Sequence, residues 1–142
     1  MSVWKGKCTT HKKPWGEEDR WEAPWGVYGK LIRLREGQRT SLKFYKRKSE
    51  VLFCLEGKAI ITAPSEKEFG DDHGIDGANF YLEPGKVLFI EKGNPYRIKA
   101  FTDCVLVEVT HGGHYAGNDA VMLDDDFGRT KKSSKPVSDI IK

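Results

Sequence analysis

Side chains that could bind or react alternate along the segment SLKFYKRKSE, which begins at Ser41. Successive side chains of a β-strand point to opposite faces, so Lys43, Tyr45 and Arg47 share one face with Ser41. Glu50 follows shortly after Arg47. A guanidinium fork suits a phosphate or a carboxylate, and tyrosine suits sugar hydroxyls and ring stacking. If this face lines a pocket, we expect an anionic or polar small molecule there. The alternatives are that the face is simply exposed to solvent, or that Arg47 and Glu50 form a structural pair.

The same residues are poor ligands for a divalent metal ion. Tyrosine has a pKa of about 10, and arginine is a cation without a lone pair to donate. The segment contains no histidine, and the histidines elsewhere make no convincing ligand set: they are His11, His73 and the H-x-x-H pair His111 and His114. We therefore predict that the protein uses no metal ion and no cofactor.

Patterns typical of β-strands dominate the rest of the sequence. Eight short segments contain β-branched or aromatic residues and close on Gly, Pro or a charge, with no amphipathic helix of about ten residues between them. They are YGKLIRLREG, TSLKFYK, EVLFCLEG, KAIITAP, ANFYLEPG, KVLFIEKG, YRIKAF and CVLVEVTHGG. Such a succession predicts an antiparallel sandwich or barrel. We expect residues 65–77 to form a solvated loop and DAVMLDDDFGRT to form a short turn of helix.

Length and charge exclude several classes of protein. A chain of 142 residues favours a single domain. Its net charge is +3 with both signs interspersed, which argues against a nucleic-acid partner. No run of about 18 apolar residues exists to cross a membrane, and the first residues lack the apolar core of a signal peptide. We expect a cytoplasmic protein with reduced cysteines, of which Cys54 and Cys104 are buried.

The N-terminal part of the chain is rich in tryptophan. Four tryptophans precede residue 26, and two PWG triplets begin at Pro14 and Pro24. Aromatic side chains at this density need apolar surface to cover. We therefore expect residues 1–26 to form an arm that packs on the barrel or on a partner subunit. The barrel is predicted over 27–129, and residues 130–142 are predicted to be a basic, flexible tail.

Several of these segments together resemble the cupins, and more narrowly the mannose-6-phosphate isomerase type found as the C-terminal domain of bifunctional isomerase/guanylyltransferases. GQRTSLKFYKRKSEVLFCLEGKA is similar to the first cupin motif and EPGKVLFIEKGNPYRIKA to the second. KPWGEE and LVEVTHGGHYAGNDAVMLDDDFGR resemble the opening and closing segments of that narrower type. The resemblance implies an all-β fold, the double-stranded β-helix or jelly-roll barrel, and a homodimer.

The resemblance also implies which positions form the site. The family's three metal-binding histidines fall on Tyr45, Arg47 and Tyr96, whereas its glutamate is kept as Glu50 and its final arginine as Arg129. A preserved scaffold without histidines favours a metal-free protein that binds a phosphosugar, a nucleotide sugar or a similar small molecule. The expected substrate-binding residues are Lys43, Tyr45, Arg47, Glu50, Tyr96 and Arg129.

Whether the protein is an enzyme stays open at this point. A sugar isomerase or epimerase would use Glu50 as base with Tyr45 or Tyr96 as acid, and the closing segment with Arg129 favours a mannose-6-phosphate isomerase. The other alternative is a non-catalytic interaction module whose dimer surface matters more than its pocket. The tryptophan-rich arm would then be the region to examine for this function.

Overall fold

The computed structural model describes residues 2–63, 78–111 and 119–128 of the chain. Within these ranges the chain forms eleven β-strands and a 3-10 turn at Pro24–Gly26. The strands are β1 Thr9–Lys13, β2 Gly16–Ala23, β3 Val27–Leu34, β4 Leu42–Tyr45, β5 Ser49–Glu56, β6 Ala59–Ala63, β7 Ala78–Leu82, β8 Val87–Ile90, β9 Arg97–Ala100, β10 Cys104–His111 and β11 Ala120–Asp124. Arg129, the loop predicted at 65–77 and the tail predicted at 130–142 lie outside the described residues.

The strands pair in three antiparallel sheets. Six strands pair in the order β1-β2-β3-β10-β5-β8, three in the order β7-β6-β9, and β11 pairs with β4. Buried side chains from all three sheets meet in one hydrophobic cluster, which includes Ile32, Leu52, Ile61 and Ile98. Each of the eight predicted strand segments contains an observed strand. The prediction of an all-β chain is therefore confirmed.

The interior of the six-stranded sheet changes from apolar to polar along the strands. On β10, Leu106 lies opposite Ile32 of β3 and Cys54 of β5, and all three side chains are buried. Two residues further along β10, on the same face, Glu108 lies opposite Lys30, and both are again buried. Side chains on one face of a strand recur every second residue, so Leu106 and Glu108 point the same way. The barrel therefore has an apolar end and a polar end.

The prediction of a helical turn in DAVMLDDDFGRT is wrong, because this segment contains strand β11. Ala120 and Val121 pair with the last residues of β4 in a two-stranded sheet. Such pairing with a distant strand overrides a weak local preference for helix. The acidic residues that follow are held by ion pairs. Arg97 contacts the carboxylate of Asp124 at 3.3 Å, and Arg39 donates to both oxygens of Asp126.

The tryptophan-rich N-terminal segment is built into the six-stranded sheet through β1 and β2. Its tryptophans have different roles. Trp15 belongs to the hydrophobic core, whereas Trp25 is 95% exposed and has a φ of 67°. The ring of Trp21 covers Gly29 so closely that a Cβ atom there would lie 2.1 Å from it. Among the described residues, no helix has the length and apolar character needed to cross a membrane.

Candidate functional site

Ionisable side chains gather inside the polar end of the barrel. Strands β2 to β5 and β10 supply most of them, and the residue just before β9 supplies one more. We call this set the polar cluster; it consists of Glu18, Lys30, Lys43, Tyr45, Lys48, Glu50, Tyr96 and Glu108. Buried ionisable groups occur mainly where they are paired or where function requires them. The contacts within the cluster distinguish these two cases.

Glu108 lies at the centre of the paired groups and is 0% exposed. Its Oε2 atom is 3.8 Å from Lys30 Nζ and 3.5 Å from Lys48 Nζ, and Tyr96 OH donates to Oε1 at 3.5 Å. Burial alone would raise the pKa of Glu108, but Lys30, followed by Glu50 and Lys48, lowers it below its ordinary value. Glu108 is therefore a carboxylate at neutral pH and holds the two buried ammonium groups.

Tyr45 is a neutral phenol surrounded by cations. Lys30 Nζ donates to Tyr45 OH at 3.3 Å, and Lys48 Nζ lies 3.9 Å from the centre of the Tyr45 ring. A cation over an aromatic face is stabilised by the ring's negative face. Burial is the main reason that the pKa of Tyr45 is raised, and burial likewise raises the pKa of Tyr96. Neither phenol is ionised at neutral pH.

Glu50 is buried next to Glu108 and Tyr96. The residue is 2% exposed, and neither carboxyl oxygen meets the geometry of a hydrogen bond within the described residues. Burial first, and the nearby charge of Glu108 second, raise the pKa of Glu50 well above its ordinary value. Ionising both of two neighbouring carboxyl groups in a buried site costs much free energy, because the two negative charges repel each other. Glu50 is therefore the protonated member of the pair.

Lys43 is the least enclosed lysine of the polar cluster, since it is half-buried whereas Lys30 and Lys48 are buried. Its Nζ atom lies 5.4 Å from the centre of the Tyr45 ring and 5.9 Å from that of Tyr96. No ion pair joins it to a carboxylate of the described residues. Burial, and next the charge of Lys30, lower the pKa of Lys43 to about 8.

The structure brings together four of the residues predicted for the site: Lys43, Tyr45, Glu50 and Tyr96. Arg129 lies outside the described residues. The structure does not bring Arg47 to them, because this residue is exposed and makes no ion pair with Glu50.

A bend at residues 46 and 47 explains the misplaced arginine. Strand β4 ends at Tyr45, and the backbone of the next two residues bonds to Asp119: Lys46 N donates to its carbonyl and Arg47 N to its carboxylate. The alternation of a strand no longer applies across this bend. Lys48, directly after it, points into the barrel instead of Arg47 and contacts Glu108.

Sequence reasoning missed half of the polar cluster, namely Glu18, Lys30, Lys48 and Glu108. One signal was available for Lys30, which lies on the same face of β3 as the apolar residues Ile32 and Leu34. No comparable sequence signal exists for Glu18. Its interior partner Lys30, 3.8 Å away, lies on the neighbouring strand.

The cupin resemblance implies a metal ion, and the side chains at the expected positions do not fit one. Tyr45 accepts a hydrogen bond from Lys30, and the ammonium of Lys48 lies over its ring. Arg47 points outwards, and Tyr96 is a neutral phenol that donates to Glu108. In the described part of the chain, no group of three His, Cys, Asp or Glu residues could hold a metal ion. Ammonium groups occupy this region where a metal site would need lone pairs.

No protein-family model matches the sequence, and no curated protein matches it significantly. Solved structures do match. The capsular polysaccharide assembling protein CapF from Staphylococcus aureus aligns with a TM-score of 0.69 and 16% identity, over 86% of this chain and 33% of that one. Oxalate decarboxylase from Bacillus subtilis aligns with a TM-score of 0.68 and 20% identity, over 87% of this chain and 32% of that one.

The formate complex of oxalate decarboxylase from Lactobacillus farciminis aligns with a TM-score of 0.68 and 19% identity, over 92% of this chain and 40% of that one. These neighbours have the cupin β-barrel, so the predicted double-stranded β-helix is confirmed. The chain spans less than half the length of each of them.

Proposed function

We propose that the polar end of the barrel binds a small anionic or polar molecule, such as a phosphosugar or a nucleotide sugar, without a metal ion. One observation carries the proposal: Lys43 is half-buried between two tyrosine rings and has no carboxylate partner among the described residues. An ammonium group in such a place gains most from an anion that enters beside it. The two tyrosine rings also keep the surroundings of this ammonium group apolar, which strengthens its attraction for an anion.

The charge balance of the polar cluster supports an anionic ligand. Glu50 is protonated, so the carboxylates of Glu18 and Glu108 face three lysines. Each of the two buried lysines has a carboxylate within 4 Å, whereas Lys43 has no such contact within the described residues. Buried charges are stable only when they are compensated. A ligand phosphate or carboxylate would supply the missing negative charge.

The structural neighbours agree with this class of ligand. CapF is named for assembling a capsular polysaccharide, and one oxalate decarboxylase is in complex with formate, a small carboxylate. Those ligands and activities belong to those proteins. For this chain they support a barrel that accepts carbohydrates or small anions, and the choice between them rests on the polar cluster.

A sugar isomerase or epimerase is the second candidate, favoured by the presence of Glu50 and Lys43 in the same buried cluster, where each influences the pKa of the other. Glu50, whose pKa is raised, is a candidate acid, and Lys43, whose pKa is lowered to about 8, is a candidate base. This reverses the expected role of Glu50, which is an acid here. A coupled assay with mannose 6-phosphate tests it: turnover that Lys43→Met abolishes would support an enzyme, and no turnover above background would leave only binding.

A homodimer is also part of the proposal, because the outer face of the six-stranded sheet is apolar along β8, β5 and β10. Val87 and Phe89 of β8 are 61% and 63% exposed, and Val109 of β10 is 52% exposed. Val51 lies between β8 and β10 and pairs with both Phe89 and Val109, so the patch is continuous. Light scattering after gel filtration tests it: we expect a dimer that Phe89→Lys dissociates, whereas a monomeric wild type would refute it.

A thermal-shift screen at about pH 7 tests the binding proposal. The probes are a hexose 6-phosphate, a nucleotide sugar and the unphosphorylated hexose. We expect a phosphorylated probe to raise the melting temperature of the wild type and of Lys99→Met, which changes an exposed lysine of β9. Lys43→Met should remove the shift. If no probe stabilises the wild type, or if both variants respond equally, the proposal is wrong.

A further inference from the structure

The amine of Lys43 and the carboxyl group of Glu50 are placed for more than holding an anion. We propose that Lys43 forms a covalent imine with the carbonyl carbon of a small aldehyde or ketone, such as an open-chain sugar phosphate, and that Glu50 supplies the proton this step needs. The inference rests on the proposed function, because the same pocket must first admit the ligand.

Contacts within the polar cluster single out Lys43 among its lysines. Lys30 Nζ is engaged by Tyr45 OH, Glu18 and Glu108, and Lys48 Nζ by Glu108 and the Tyr45 ring. A lysine held in this way stays an ammonium ion and cannot attack a carbonyl group. Lys43 has no such partner in the described ranges, and the residue is half-buried whereas the other two lysines are buried. It is therefore the lysine of the cluster whose amine is not already held by a carboxylate.

The surroundings of Lys43 also increase the share of neutral amine. Burial and the nearby charge of Lys30 lower the pKa of Lys43 from 10.5 to about 8. At neutral pH the neutral fraction is then about 300-fold larger than for a lysine with the ordinary pKa. A lysine desolvated beside a second cation is a known way to prepare an amine for imine formation.

Glu50 is the group of the cluster that can donate a proton. Glu18 and Glu108 are carboxylates held by lysines, and the pKa of each is below its ordinary value despite burial. Tyr45 and Tyr96 have raised pKa values and release a proton less readily than free phenols. Burial and the charge of Glu108 raise the pKa of Glu50 well above its ordinary value, so Glu50 is the carboxyl group of the cluster that carries a proton. It is therefore the group that can pass a proton to a ligand oxygen bound beside it.

The step balances with these two groups and the carbonyl compound. The Lys43 lone pair forms the C–N bond while the C=O π electrons move to oxygen, which takes the Glu50 proton. The nitrogen then returns one proton to Glu50. Glu50 protonates the hydroxyl group, which leaves as water while the nitrogen lone pair forms C=N. The product is a protonated imine on Lys43 beside the Glu50 carboxylate, which compensates its charge.

Reductive trapping tests the proposal. The wild-type protein is incubated at about pH 7.5 with glyceraldehyde 3-phosphate and sodium cyanoborohydride, and adducts are located by intact mass and peptide mapping. We expect one adduct per chain, on Lys43, formed at least about 10-fold faster than on any other lysine. Lys43→Arg should abolish it, Lys99→Arg should leave it unchanged, and Glu50→Gln should slow it by about 10-fold or more. Adducts spread over exposed lysines, with Lys43 unmodified in the folded wild type, would overturn the inference.

Glycerol 3-phosphate, which has no carbonyl group, separates this inference from the binding proposal. If it raises the melting temperature while glyceraldehyde 3-phosphate leaves Lys43 unmodified, the imine is refuted and anion binding stands. If it gives no shift and Lys43 is unmodified, both are refuted. Mapping on the wild type decides the outcome even where a variant fails to fold.

Discussion

Glu50→Gln should stabilise the protein, and the gain should grow as the pH rises. Gln keeps the shape of a protonated glutamic acid and cannot ionise. The pKa of Glu50 is raised in the folded protein by burial and by Glu108, so the folded state binds a proton that the unfolded chain releases above about pH 4.5. The free energy of unfolding of the wild type therefore decreases as the pH rises from 4.5 to the pKa of Glu50 in the folded protein. The glutamine variant does not show this decrease.

The size of the effect follows from proton linkage. Each pH unit between the unfolded and folded pKa of Glu50 costs the wild type about 1.36 kcal/mol. Two pH units above 4.5, at about pH 6.5, the advantage of Glu50→Gln reaches at most about 2.7 kcal/mol. Glu50 is 2% exposed, so solvent screens the effect very little.

Urea unfolding at about pH 5, 6 and 7 measures this directly. The control is Glu56→Gln, which changes an exposed glutamate on the same strand, β5. We expect the free energy of unfolding of Glu50→Gln to exceed that of the wild type by an amount that increases with pH, and that of Glu56→Gln to stay parallel to the wild type. A constant difference for Glu50→Gln, or a loss of stability, would refute the protonated carboxyl group.

Three further changes test the polar cluster. Glu108→Gln leaves Lys30 and Lys48 without their central carboxylate and should lower the free energy of unfolding by about 3–5 kcal/mol; a loss below about 1 kcal/mol would contradict the network. Lys43→Met removes an ammonium ion whose pKa is lowered from 10.5 to about 8, and should raise stability at pH 7 by at most about 3.4 kcal/mol. This gain should vanish as the pH rises from 8 to 10.5, and a pH-independent gain would contradict it. The affinity for a hexose 6-phosphate, measured by calorimetry, should fall above about pH 8 as Lys43 loses its proton. Constant affinity up to about pH 9.5 would exclude Lys43 as the ligand's partner.

Regular alternation made part of the site predictable from sequence. Lys43 and Tyr45 lie on one face of a short, uninterrupted strand, so their common orientation follows from the period of two. The prediction failed at Arg47 because the backbone bonds to Asp119 create a bend there. Asp119 is 72 residues away in sequence, and no local pattern announces that contact.

The buried partners could not be predicted because they depend on pairing between strands. Strand β10 carries apolar residues on both faces, with Val107 and Val109 opposite in orientation to Leu106 and Glu108. Its alternation therefore does not reveal which face is inside. Only the register places Glu108 beside Lys30. Strand β11 was missed for the same reason, since its pairing with β4 forms across 75 residues, from Ala120 to Tyr45.

A crystal structure of the protein soaked with a hexose 6-phosphate shows directly whether the polar cluster binds the ligand. We expect a phosphate or carbonyl oxygen within hydrogen-bond distance of Lys43 Nζ. A competing location within the described residues is a cleft of about 500 Å³ at the other end of β3 and β10, whose lining includes Lys12, Lys13, Arg33 and Cys104. Ligand bound in that cleft, with no contact to Lys43, would refute binding at the polar cluster.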